Sequence, residues 1–177
     1  MANKENMTAK IKMPLYLQYY IKYRFLNGGN SCDGVNYFSR FVSKCLELRP
    51  KDSNENHLDT SEDVFEIILP HLEGKNPLYY NYISGENNEI LIKAFEFIFY
   101  EALFMYMDSA CEYDIVSDDK LRIRYGERKS KIEFFCLRCG IPEWAINIET
   151  INRLYSRHLE KHKKQIINHK QMTINYR

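Results

Sequence analysis

No stretch of this 177-residue chain is apolar for long enough to span a bilayer. The most apolar run, "AFEFIFYEALFMYM" at 94–107, is interrupted by Glu96 and Glu101 and suits a buried helix better. The opening "MANKENMTAKIKM" lacks the apolar h-region of a secretory signal. Disulfide-forming surroundings are therefore not expected, and the five cysteines, an odd number, read as free thiols of a cytoplasmic protein. There is no internal repeat and no low-complexity tract. A phosphate-binding loop, a dinucleotide fingerprint and G-x-S-x-G are all missing, which removes the common nucleotide-dependent and serine-hydrolase classes. "HLEKH" at 158–162 is not H-E-x-x-H, because Glu160 stands two residues after His158. A non-enzymatic role is the expectation, with no cofactor.

What is present is aromatic and unevenly charged. The chain has 14 Tyr and 10 Phe, which suits a core with Tyr hydroxyls at its edge or, alternatively, a surface on which bases stack. Net charge is only +1. Residues 1–120 nonetheless carry 12 Lys/Arg against 19 Asp/Glu, and residues 121–177 carry 13 against 5. Such asymmetry points to an anion-binding C-terminal end, or to an acidic part that neutralises a basic one within the molecule.

Along the chain, residues 1–12 are polar and expected to fray. Pro14 suits a first helical turn, Leu17, Ile21 and Phe25 recur every four residues, and Gly28-Gly29 ends the run. Val35, Phe38, Phe41, Val42, Cys45 and Leu46 keep helical spacing up to Pro50. A polar loop covers 50–62, and "DVFEIILP" at 63–70 predicts a strand in a small β element reaching about residue 83. A helix over about 87–111 is apolar nearly all round, the profile of a central, buried helix. "LRIRY" at 121–125 suits a short strand or a helical turn. Asp108, Asp114, Asp118 and Asp119 lack calcium-loop spacing and read as a solvated acidic loop.

The most informative part is the C-terminal helix pair. Ile132, Phe135, Cys136 and Cys139 occupy one helical face, Gly140 suits a left-handed stop, and Ile141 supplies its apolar contact. The next helix starts near Ile148 with Asn147 as N-cap, an Ile146/Ile151 staple and Glu149 in the first turn. With Ile148 at zero and 100° per residue, Ile151, Tyr155, Leu159 and Ile166 share its face and Leu154 lies at the margin. Arg153, Arg157, Lys161 and Lys164 fall opposite, between about 140° and 220°. Trp144 is expected to pack the connection onto the core.

A packed pair whose second helix carries a basic ridge resembles a helix-turn-helix reader of the major groove. Phosphates would meet Arg153, Arg157, Lys161 and Lys164, with Arg128, Lys131 and Arg138 secondary, while Asn152, Ser156 and Arg153 lie where base edges are read. The eight-residue connection "GIPEWAIN" departs from the usual three- or four-residue turn. A solvated face and a face that docks an acidic protein are the competing readings.

Zinc is a further alternative. Cys136, Cys139, His158 and His162 give C-x₂-C-x₁₈-H-x₃-H, and the histidines lie on the apolar side of their helix. Two thiolates on successive turns of a regular helix rarely converge at the ~2.3 Å zinc distance, so both cysteines read as core positions. A redox pair would sit at a helix N-terminus, whereas this one ends a helix.

"MPLYLQYYIKYRF", "DVFEIILP" with "KNPLYYNYIS", and "KSKIEFFCLRCGIPEWAINIETINRLYSRHLEK" together resemble, in pattern, a group of small uncharacterised proteins from bacterial phages and mobile elements. The resemblance implies an intracellular setting and a role on nucleic acid or a host protein, and carries no activity. The expected architecture is a predominantly helical α+β fold with a core domain at 1–127 and a basic helix pair at 128–177 on the same core. The expected function is a DNA- or RNA-binding accessory or regulatory protein of a phage or mobile element; the rival is a structural phage component docking an acidic partner.

Overall fold

The computed structural model describes residues 7–32, 36–50, 63–69, 74–109, 114–116, 120–122 and 125–174; at 109, 114–127 and 163–174 only backbone elements are described. Within these limits the chain is a predominantly helical α+β fold. Its elements are β1 (Thr8–Lys12), α1 (Leu15–Phe25), α2 (Tyr37–Cys45), β2 (Glu47–Leu48), β3 (Val64–Ile68), β4 (Tyr80–Tyr82), α3 (Gly85–Ser109), β5 (Asp114–Val116), β6 (Lys120–Arg122), α4 (Tyr125–Arg138) and α5 (Ile148–Ile174).

Residues 8–12 are a strand and not a frayed end. "TAKIK" alternates, and β1 pairs antiparallel with β3 so that Ala9 faces Ile67 and Ile11 faces Phe65, all four buried. Lys10 lies opposite Glu66 on the outer face, a favourable cross-strand pair. Beyond β1, Asn88 stands in for a further strand: its side chain donates to Lys12 O at 2.8 Å and accepts from Lys12 N at 2.9 Å.

Helix α1 begins after Pro14 and ends where Gly28 takes φ +82° and donates to Lys22 O at 2.8 Å. Asn36 caps α2 by accepting from Ser39 N at 2.8 Å, and its amide donates to Phe25 O at 2.6 Å, which ties the two helices together. α2 stops at Cys45 rather than running to Pro50. Leu46 turns extended, Glu47 and Leu48 pair with β4, and the Lys75 ammonium closes the helix end by donating to Ser43 O and Leu46 O, each at 2.9 Å. A β partner and a lysine cap supply the hydrogen bonds that another helical turn would have supplied. Val35 lies outside the described residues.

α3 is the hub. Leu91, Phe95, Phe99, Leu103 and Met107 recur every four residues and are buried. Phe95 meets the rings of Phe25, Tyr37, Phe38 and Phe41, and Phe99 meets those of Tyr16, Tyr20 and Phe135. The burial covers one face only: Ile90, Phe97 and Met105 are exposed. Continuous hydrophobicity along this helix thus marks a buried stripe plus an apolar outer surface. One buried cluster runs from Ala9 to Tyr155, drawing on both the N-terminal part and the C-terminal helix pair. Among the described residues no helix is long and apolar enough to cross a membrane.

Candidate nucleic-acid interface

The C-terminal pair forms as its local signals dictate. Gly140 has φ +68° and donates to Leu137 O at 3.0 Å, while Ile141 donates to Cys136 O at 2.8 Å. These are the two bonds of a Schellman stop, and Ile141 is buried beside it. The connection contains a single 3₁₀ turn at Glu143–Ala145. Asn147 then caps α5 by accepting from Thr150 N at 3.1 Å, with Ile151 buried and Ile146 half-buried in the staple.

α5 has the two faces expected of it. Ile151 and Tyr155 are fully buried, and Ile148, Leu154 and Leu159 pack against the core. Arg153, Arg157 and Lys161 are exposed on the opposite side. The Arg153 guanidinium lies 3.9 Å from Glu149 in an exposed pair that holds neither group firmly. Lys164 and Ile166 have side chains outside the described residues.

The secondary residues separate. Arg138 is exposed at the end of α4, whereas Lys131 is half-buried. Arg128 lies against the molecule, its guanidinium 5.5 Å from the Tyr155 ring centre and donating to Ser156 Oγ at 3.3 Å. Ser156 Oγ donates to Asn152 O at 3.0 Å, so both groups serve α4–α5 packing in this conformation. Asn152 Oδ1 is buried without a hydrogen-bond partner.

The cysteines and histidines do not converge. Cys136 and Cys139 are buried on the inner face of α4, and burial pushes both thiols up to about 11, which disfavours the thiolate a metal needs. His158 faces Asp108, with Nε2 3.6 Å from Oδ2, and its ring lies tilted against Phe104 and edge-on to His162 at centroid distances of 4.7 and 4.4 Å. Among the described residues no group of three or more His, Cys, Asp or Glu side chains is placed to hold a metal ion. Asp108 does not belong to an acidic loop. It sits in the last turns of α3 and accepts a 2.5 Å hydrogen bond from the Tyr155 hydroxyl. Asp114 is in β5, and Asp118 and Asp119 lie outside the described residues.

Sequence reasoning missed the surface just before α5. Trp144 does not pack the connection onto the core; it is 68% exposed. The 3₁₀ turn puts the smaller Ala145 and Ile146 inward and leaves the indole outside. It borders an open groove of about 1060 Å³ whose polar lining includes Lys129, Glu133, Glu143, Glu149 and Asn152. A smaller groove of about 430 Å³ shares Glu149 and Asn152 and continues to Arg153, Ser156 and Arg157. An eight-residue connection in place of a tight turn was the available signal that this corner differs from a helix-turn-helix. The chain matches no family model, no curated protein and no solved structure.

Proposed function

We propose that this chain is a non-enzymatic nucleic-acid-binding accessory or regulatory protein, with α5 as the element laid against the phosphate backbone. The observation that carries the reading is the division of α5. Ile151 and Tyr155 anchor one side in the core, and Arg153, Arg157 and Lys161 stand together on the solvent side of the same rigid element. Three cations on one helix face, held by a buried opposite face, can displace counterions from phosphates without reorganising the fold. Arg138, exposed at the end of α4, is a further cation available to the backbone. The phage or mobile-element setting comes from the resemblance of the three sequence stretches alone.

A second reading, a protein component docking an acidic partner, draws support from the apolar side chains that α4 exposes beside Arg138, namely Phe134 and Leu137. Salt-dependent binding separates the two. Mixed-sequence DNA and RNA are titrated with the wild type and with the triple variant Arg153→Glu, Arg157→Glu, Lys161→Glu. The expected result is binding whose logarithmic salt slope falls by about 2–3 in the variant, since each lost phosphate contact removes about 0.7–0.9. The folded state is unaffected, because all three side chains are exposed. No binding by the wild type at about 50 mM salt overturns the proposal, since that is where phosphate contacts are strong.

A further inference from the structure

We infer that the preferred ligand is a single strand, one of whose bases stacks on Trp144 while its backbone follows Arg153, Arg157 and Lys161; this rests on the nucleic-acid reading above. Three observations join at this corner. The indole of Trp144 is 68% exposed at the rim of the larger groove. Trp is normally well covered in a fold, and an exposed one beside a cavity marks a contact surface. The groove continues into the basic ridge, because Glu149 and Asn152 line both it and the smaller depression that holds Arg153 and Arg157. Asn152 Oδ1, between the two, is buried and accepts no hydrogen bond in the fold.

The chemistry of the two halves differs in a way that assigns parts of the ligand. The groove contains the carboxylates of Glu133, Glu143 and Glu149, and its lysine, Lys129, is already 3.6 Å from Glu133. It repels a phosphate. It suits a base, whose exocyclic amino group donates to a carboxylate and whose face covers the indole. The ridge has the opposite preference and takes the backbone. Nine residues of helix separate Ile148 from Arg157, about 14 Å, so a short run of nucleotides reaches from one region to the other. A duplex cannot use both regions, since its bases are paired and stacked, and exposing one requires flipping it out at a cost of a few kcal/mol.

Trp144 is the chain's one tryptophan, so fluorescence excited selectively at the indole reports on the surroundings of this side chain. Single-stranded DNA, single-stranded RNA and duplex DNA of equal length and mixed sequence are titrated against the wild type, Trp144→Ala and Trp144→Phe. Expected are quenching by single strands and little by duplex. Trp144→Ala weakens single-strand binding about 5- to 150-fold, the range for one lost stacking contact, and Trp144→Phe restores part of it. The salt slope stays as in the wild type. The tighter of the DNA and RNA arms identifies the sugar. Salt-dependent binding with unchanged fluorescence and equal affinity in Trp144→Ala overturns this inference and leaves the ridge reading standing, as does tighter binding of duplex than of single strands. Absence of all nucleic-acid binding removes both, and quenching by a lysine-rich peptide in that case assigns the groove to a protein ligand. Circular dichroism melting of each variant at the wild-type temperature excludes a folding defect.

Discussion

Replacing Tyr155 by Phe tests how α5 is locked to α3. The Tyr155 ring is fully buried, 5.5 Å from the Phe104 ring centre, and its hydroxyl donates to Asp108 Oδ1 at 2.5 Å. Tyr155→Phe keeps the ring and its packing and deletes one hydrogen bond to a carboxylate. Bonds to charged groups contribute about 1.5–3 kcal/mol. The Asp108 side chain is 38% exposed, so water replaces part of what is lost. The expected destabilisation is therefore about 1–2 kcal/mol, read as a fall in the urea midpoint at constant slope. At roughly 2–4 °C per kcal/mol for a chain of this size, the melting temperature falls by about 2–8 °C. Asp108→Asn removes the charge from the same bond. A double-mutant cycle of the two is expected to give a coupling of about 1 kcal/mol, because Asp108→Asn weakens the bond that Tyr155→Phe deletes. Tyr155→Ala also leaves a cavity and loses about 3–5 kcal/mol. If Tyr155→Phe stays within about 0.3 kcal/mol of the wild type, or the coupling is zero, the hydroxyl does not hold the helices together and the lock is ring packing alone.

Gly140→Ala is expected to lose roughly 1–2 kcal/mol, because φ is +68° and no heavy atom lies within 4 Å of an added Cβ, so the loss is backbone strain and not a clash. Gly85→Ala, at a conventional φ and with equally open space, is the control and is expected to be neutral or stabilising in the same thermal melt. The thiols of Cys136 and Cys139 are pushed up by burial from 9.0 to about 11, so they are protonated in the fold and ionise more readily once unfolded. Their contribution to stability is complete below pH 9 and is lost as pH rises towards about 11. Urea midpoints at pH 8, 9.5 and 11, compared with Cys136→Ala/Cys139→Ala, check the sign, and a wild-type midpoint that rises relative to the variant over this interval refutes it.

The legible features were those set by neighbours a few residues away. Gly140 and Ile141 predicted a Schellman stop because the motif is complete within six residues, and Asn147 predicted a cap because its acceptor reaches the Thr150 amide. The opposed faces of α5 follow from the 100° step, which is why Arg153, Arg157 and Lys161 are found together and exposed. Tyr155 was legible as buried, but its hydroxyl partner was not. Asp108 lies 47 positions earlier, and nothing near it in sequence points to Tyr155.

By itself, then, the sequence determined the stops after α1 and α4, the Asn147 cap and the inward faces of α4 and α5, since periodicity and capping are short-range properties. Only the tertiary structure decided that "TAKIK" is a strand, because β1 exists through partners such as Glu66, 58 positions away from Thr8. It also decided that α2 stops at Cys45, where β4 and Lys75 compete for the backbone, and that Cys136 and Cys139 face the core while His158 turns to Asp108. Last, it decided that Trp144 stands in solvent. Hydrophobicity says that an indole gains from burial, but only the assembled fold has or lacks the space to take it, and here Ala145 and Ile146 lie partly buried against the core in its place.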